Sequence, residues 1–265
     1  YAAAEEAFKS ALARSGGVPG TLAFDLSYYL AAAYTAESRD GEAVAVYDAI
    51  LDLRPKEADA HYLRGLARLR LGEHDSAAED FQTVLRATPR QYDRLLSIYE
   101  ALADAGYAAE GRSMLTELLQ ESGEAMTNYE RGRFHYYLGN LEEARTWLEE
   151  AYIETSAGKA ADRVPIVILL GEVAQDQGDD SYAISVYRRF LQDDQSQASI
   201  YNALGVCELR MGTYSDALSD LQIGLSLDDS AQNAALLRNM AAAYEYMGNF
   251  EIAAERLSEY LALVP

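Results

Sequence analysis

The chain has 265 residues, 49% of them hydrophobic and 25% charged, the make-up of an ordinary soluble, packed protein. With 22 basic and 43 acidic residues its net charge is −21, which argues against coating nucleic acid or resting on an anionic membrane. One cysteine excludes an internal disulfide and any multi-cysteine metal or iron–sulfur site, and the longest uncharged hydrophobic run, Val164 to Gly171, is too short to span a bilayer.

In chain order, residues 1–17 read as a helix, with Tyr1, Ala4, Phe8, Ala11 and Leu12 in helical register; Glu5 and Glu6 set it apart from a signal peptide. Beyond it the sequence repeats. Glycines recur at Gly72, Gly106, Gly139, Gly178, Gly212 and Gly248. Five residues after each comes Ala77, Ala144, Ala183, Ala217 or Ala253, with Gly111 the exception. Nine residues after come Phe81, Leu115, Leu148, Tyr187, Leu221 and Leu257. Seven before come Gly65, Gly132, Gly171, Gly205 and Ala241, with Tyr99 the exception. Helical spacing of apolar residues stops at each glycine and then resumes, which predicts a helix–turn–helix hairpin. Asp, Asn, Ser and Glu just past the glycine suit the start of the next helix, and Pro55, Pro89 and Pro265 close three of the units. One hairpin cannot bury its apolar face alone, so the units must stack.

This pattern resembles the tetratricopeptide repeat, a 34-residue helix hairpin. The segment HYLRGLARLRLGEHDSAAEDFQTVLRATP, from His61, places Gly65, Gly72, Ala77, Phe81, Val84 and Pro89 at the signature positions, with His61 replacing the usual Trp. Tyr201 onward matches through Leu204, Gly205, Gly212, Tyr214 and Ala217; the first unit matches through Leu30, Ala31, Tyr34, Ala43, Tyr47, Ile50 and Pro55, with Ser38 where glycine is usual. The resemblance covers nearly the whole chain and implies one all-α domain, 1–265, a right-handed solenoid. Its units are 24–57, 58–91, 92–124, 125–158, 164–197, 198–231 and 234–265, preceded by 1–17 as the second helix of a partial repeat. A start without Met and an end on Pro265, without a polar closing helix, read as a fragment of a longer protein or as a trimmed piece.

Two features depart from the pattern. Residues 159–163 insert between the fourth and fifth units, and the VPIVILL run that follows is read as a helix with Pro165 in its first turn. In the third unit, Tyr99 is large where a small residue is usual and Gly111 is small where Ala is usual, so the Tyr99 ring is expected to fill the space at Gly111; independent drift of the two positions is the other reading.

Catalytic motifs are missing: no GxxxxGK[ST], HExxH, GxSxG or strand-borne GxGxxG occurs, and the chain is read as a non-enzyme without cofactor or metal. His61, His74 and His135 lack metal-ligand spacing, and Cys207 reads as a small core residue. The pairs Asp179–Asp180, Asp193–Asp194 and Asp228–Asp229 read as helix caps.

What remains is a surface. The resemblance implies that the first helix of each unit lines a concave groove taking a peptide or partner helix. Its groove positions correspond here to Tyr28; Tyr62, Leu66 and Arg70; Glu100 and Asp104; Tyr129, Arg133, Tyr136 and Tyr137; Glu172 and Asp176; Asn202 and Arg210; Arg238 and Tyr246. Tyr and Arg are hot-spot residues, so Tyr28, Tyr62, Arg70, Tyr129, Arg133, Tyr136, Tyr137, Asn202, Arg210 and Arg238 are the candidate contacts. The arginines could equally pair with Glu100, Glu172 or Glu245, and the tyrosines could serve packing. With only Lys9, Lys56 and Lys159, none on a groove position, the clamp some family members use for chaperone tails is not expected.

The expected function is a scaffold or adaptor for a protein or peptide, binding no nucleic acid and inserting in no membrane. The alternatives are the regulatory or sensing region of a larger, membrane-anchored protein, or a structural array that self-associates through its terminal repeats. Nineteen Arg against three Lys suggests a bacterial source; cytoplasm and an exported or lipid-anchored location with the leader removed remain equal choices.

Overall fold

A computed structural model describes residues 21–264 and, ahead of them, Glu6. The expected helix over 1–17 and the closing Pro265 lie outside the described residues. Every regular element described is helical. The α-helices are α1 (Thr21–Ala36), α2 (Asp40–Leu53), α3 (Ala58–Arg70), α4 (His74–Ala87), α5 (Tyr92–Asp104), α6 (Ala108–Ser122), α7 (Asn128–Tyr137), α8 (Leu141–Glu154), α9 (Val164–Asp176), α10 (Asp180–Leu191), α11 (Ala198–Arg210), α12 (Tyr214–Ser226), α13 (Ser230–Tyr246) and α14 (Phe250–Leu263). They pack in successive antiparallel pairs, the arrangement of an α-solenoid.

Two compact units divide the chain, 1–118 and 119–265, the boundary falling within α6. In the first, α3 packs on α4 and touches α5 as well as its own partner helix. In the second, the first helices of successive hairpins, α7, α9, α11 and α13, contact one another in order, so their inner faces form one surface. The second unit's main core gathers Leu148, Tyr152, Val167, Leu170, Tyr187, Phe190, Ile200 and Leu204. The first unit's cores centre on Tyr34, Tyr47 and Ile50, and on Phe81, Val84 and Ile98.

The turn geometry follows from the repeating glycines. Gly72 sits at φ 77°, a left-handed conformation that costs glycine nothing, and lets the Glu73 N–H donate to the Arg68 carbonyl at 2.8 Å to close the helix. In the first hairpin Ser38 takes the same place at φ 58°, and the Arg39 N–H donates to the Tyr34 carbonyl at 2.9 Å. The closing bonds thus hold a residue that pays about 1 kcal/mol for its conformation.

The small residues are explained by close helix approach. A Cβ added at Gly65 would lie 2.6 Å from the Phe81 ring; at Gly132 and Gly205 it would meet Leu148 and Leu221 at the same distance. The second, fourth, fifth and sixth hairpins therefore pack the residue nine places after the turn against a bare backbone seven places before it. The third unit inverts this: Tyr99 Cδ2 lies 2.8 Å from where a Gly111 Cβ would be, so the ring does occupy the space at Gly111.

The insertion at 159–163 forms a 3-10 turn, Ala160–Arg163, and buries Arg163 at 5% exposure. Its guanidinium donates to Asp193 at 3.0 Å and lies 5.4 Å and 5.9 Å from the Tyr152 and Phe190 ring centres. VPIVILL is helical with Pro165 in the first turn, as expected. The acidic pairs divide their work. Asp179 caps α10 by accepting from the Tyr182 N–H and Asp229 caps α13 from the Ala231 N–H, whereas Asp194 binds Ser196 and Gln197 in a loop. Most other helix starts, including those at Glu73, Asn140 and Asn249, have no side-chain cap; there the capping residue's own N–H donates back to the preceding helix, Asn140 to the His135 carbonyl at 2.8 Å and Asn249 to that of Tyr244 at 2.9 Å.

Candidate interaction surfaces

In the first unit the inner positions are largely satisfied from within. Tyr28 is half-buried, its ring tilted 6.2 Å from Tyr47, and its hydroxyl is buried without a partner; burial beside Glu57 and Asp59 pushes its pKa far up. Tyr62 packs on the Phe81 cluster, with the Arg94 guanidinium 5.2 Å from its ring centre. Arg70 holds Asp40 through Nε at 2.8 Å and Nη2 at 2.7 Å. A cavity of about 350 Å³ opens beside it, lined by Leu66, Leu69, Arg70, Ala101, Asp104 and Ala105.

The second unit concentrates tyrosine. On α7, Tyr129, Arg133, Tyr136 and Tyr137 are all half-buried on one face. Arg133 lies over the Tyr129 ring at 5.5 Å, and Tyr136 meets Tyr137 edge-on at 5.8 Å. The Tyr136 hydroxyl donates to Asp176 on α9; burial together with Asp176 and Glu172 pushes its pKa up to about 12. Glu172, one turn before Asp176, has its own carboxyl pKa raised by desolvation on the groove side and by the Asp176 charge. Further along, Asn239 donates to Asn202 at 2.8 Å. Arg210 pairs with Asp180 at 2.9 Å, while Arg238 is exposed and makes no ion pair among the described residues. The exposed Tyr246 ring stacks on Tyr214 at 5.1 Å.

The structure thus gathers the four α7 residues on one face, with Tyr136 beside Glu172 and Asp176, and disperses Tyr28, Tyr62, Asn202, Arg210 and Arg238. The partners of Arg70 and Arg210 are Asp40 and Asp180 rather than Glu100, Glu172 or Glu245. Each arginine ends a first helix and reaches back 30 residues, to the aspartate that opens the preceding unit's second helix.

Two charged groups escaped the sequence reading. Asp80 is 2% exposed and meets Arg64, Arg68 and His61. Glu208, 1% exposed, accepts from Arg188 at 2.7 Å through Oε1, while Oε2 is buried with no donor facing it. Its other neighbour is the Asp220 carboxyl, whose charge adds to the cost of ionising Glu208. Desolvation, then the Asp220 charge, pushes Glu208 up to about 7 from an ordinary 4.5, against the opposing pull of Arg188, with Asp216 adding a smaller push. A carboxyl with a raised folded pKa stabilises the fold fully below its unfolded value and loses that contribution as pH rises through the folded one. Stability of the second unit is therefore expected to fall by on the order of 1–2 kcal/mol between pH 5 and pH 8. Urea unfolding across that range checks this, and Glu208→Gln is expected to flatten the profile; an unchanged profile in E208Q would assign the effect elsewhere.

Among the described residues no three of His, Cys, Asp and Glu converge as a metal site. His74 stacks on Tyr107 at 3.7 Å and lies 2.7 Å from Glu110. Cys207 is fully buried, and burial pushes its thiol up to about 12, away from nucleophilic use. No described helix is long and apolar enough to cross a membrane.

Stacked hairpins with polar, tyrosine-bearing inner faces define an α-solenoid scaffold. The sequence model of the tetratricopeptide repeat matches residues 1–58, 41–92 and 168–233, together more than half of the chain. The chain belongs to the tetratricopeptide repeat family, whose fold serves generally as a protein-interaction module and binds proteins or peptides. Among solved structures, a tetratricopeptide repeat protein from Parabacteroides merdae is similar with a TM-score of 0.56 at 16% identity over 90% of each chain. Yeast Tom70 is similar with a TM-score of 0.59 at 15% identity, over 86% of this chain and 49% of that one. At these identities the likeness is one of fold. No curated protein sequence matches the chain.

Proposed function

We propose that the chain is an adaptor that holds a segment of a partner protein against the inner helix faces of its second unit. The observation that carries this reading is the α7 face, where three half-buried tyrosines and an arginine stand together beside the α9 carboxylates. Tyrosine gives a large contact area at a low ordering cost, and a concave row of helices offers either an extended peptide or a helix a continuous bed. Self-association is disfavoured by the net charge of −21, although α14 leaves Phe250, Leu257 and Leu261 exposed.

Site-specific photocrosslinking in the source cell tests the reading. p-Benzoylphenylalanine placed at Tyr137 is expected to give a discrete protein adduct, and at Ile153, exposed on α8, none. An adduct from position 153 alone would move recognition to the other face. Adducts from neither position would overturn the proposal.

A further inference from the structure

Exposed carboxylates without a cationic partner among the described residues occur at several places in the second unit, Glu142 and Glu150 on α8 as well as Glu172 and Asp176 on α9, and only the α9 pair stands beside an aromatic wall on the inner face. Glu149 and Asp179 meet Arg145, Asp180 meets Arg210, Asp193 meets Arg163 and Glu208 meets Arg188. Glu172 and Asp176, one turn apart on α9, form no ion pair among the described residues. Two carboxylates alone would make no site. Here they adjoin the half-buried Tyr136 ring, whose hydroxyl donates to Asp176 and so orients it, and Tyr137 stands edge-on behind that ring at 5.8 Å. Carboxylates beside an aromatic wall are complementary to one class of guest, a cation with an apolar stem. The surroundings select the same sign: residues 119–265 carry 24 acidic and 10 basic side chains, a net −14 that attracts a basic segment and repels a second copy of this chain.

We infer that the α7–α9 face docks a basic segment of a partner protein by seating one Lys or Arg side chain between Glu172 and Asp176 against the Tyr136 ring. This rests on the adaptor reading above and adds the chemistry of the occupant. The raised pKa of Glu172 fits it, since the attraction of a seated cation would offset the like-charge contact with Asp176 and compensate the desolvation that together cause the shift.

The test uses the full chain. Peptides are selected from a random dodecamer library displayed on phage, and the selected sequences are synthesised with each Lys replaced by norleucine and each Arg by citrulline. One replacement in each peptide is expected to weaken binding at least tenfold by calorimetry. Glu172→Gln with Asp176→Asn is expected to weaken the parent peptide equally and to make that replacement neutral. Glu142→Gln with Glu143→Gln, an equal charge change at the start of α8, is expected to leave binding within twofold, which excludes a general charge effect. Unchanged circular-dichroism melts verify that the variants fold. Peptides lost with Tyr129→Ala or Tyr137→Ala but indifferent to the charge changes would overturn the cationic seat and leave the adaptor reading standing. Peptides indifferent to all of these variants, or no enriched peptide, would overturn both.

Discussion

Gly171→Ala is expected to destabilise the second unit by about 2–3 kcal/mol, although alanine is intrinsically the better helix residue by about 1 kcal/mol. A Cβ at this position would lie 2.0 Å from the Tyr187 hydroxyl oxygen and 2.2 Å from Cζ. At Gly132 and Gly205 the colliding atoms belong to leucine side chains, which can change rotamer. Tyr187 is rigid and fully buried, and shares its core with Leu170, Val186 and Phe190, so the ring has nowhere to go without moving a helix. Overpacking of this kind outweighs the propensity gain. Tyr187→Phe is not expected to rescue Gly171→Ala, because Cζ stays in place. Tyr187→Leu is expected to rescue it in large part, since the seventh unit pairs an alanine, Ala241, with a leucine, Leu257, at these two positions. Urea unfolding of the four corners of that cycle should give a coupling of at least about 2 kcal/mol. A Gly171→Ala chain as stable as the parent would show that the helices can separate at no cost.

Much of the architecture is legible in one sequence because the repeat states it several times over. A glycine between two helical patterns could be an accident once; six in phase, five of them with a small residue seven places before and all with a large one nine places after, leave a single packing solution. The inversion at Tyr99 and Gly111 was legible for the same reason, as a paired exception to a known rule. That the four α7 residues share one face was legible from helical phase, i, i+4, i+7 and i+8, and only the resemblance to the repeat family pointed to that face as an inner one.

Ion pairing was harder to read, because it runs between units. Nothing local tells that Arg70 reaches Asp40 and Arg210 reaches Asp180; the common 30-residue interval shows it only once one pair is known. The buried charges did leave a signal. Tyr34 and Tyr244 stand four residues before the turn, at Ser38 and Gly248, where Arg68 precedes Gly72 and Glu208 precedes Gly212. Twelve residues after each of these charged residues comes an aspartate, Asp80 or Asp220. The same two positions thus hold an ion pair in the second unit and two neighbouring carboxyls of raised pKa in the sixth, and only the charge on the first residue decides which.

That contrast fixes what Asp80 does in the first unit. Its two oxygens receive Arg64 Nε at 2.9 Å and Nη2 at 2.6 Å and Arg68 Nη1 at 2.8 Å, with His61 Nδ1 at 2.7 Å. Asp48 takes the remaining Arg64 nitrogen at 2.6 Å. Asp80→Asn keeps the shape and removes the charge, leaving two guanidinium groups partly buried against one half-exposed aspartate. Its expected cost is about 3–5 kcal/mol, the range for removing one partner of a buried ion pair. Because stacked hairpins can open piecemeal, the measurement is urea unfolding combined with hydrogen exchange of the α3 and α4 amides, where protection should fall first. Replacing the whole cluster, Asp80→Leu with Arg64→Met and Arg68→Met, is expected to recover most of the loss, because the desolvation cost of the charges then disappears with their attraction. An Asp80→Asn chain within about 1 kcal/mol of the parent would mean that the cluster is hydrated rather than buried. A triple variant less stable than Asp80→Asn would mean instead that the charges hold α3 and α4 together in a way apolar packing cannot.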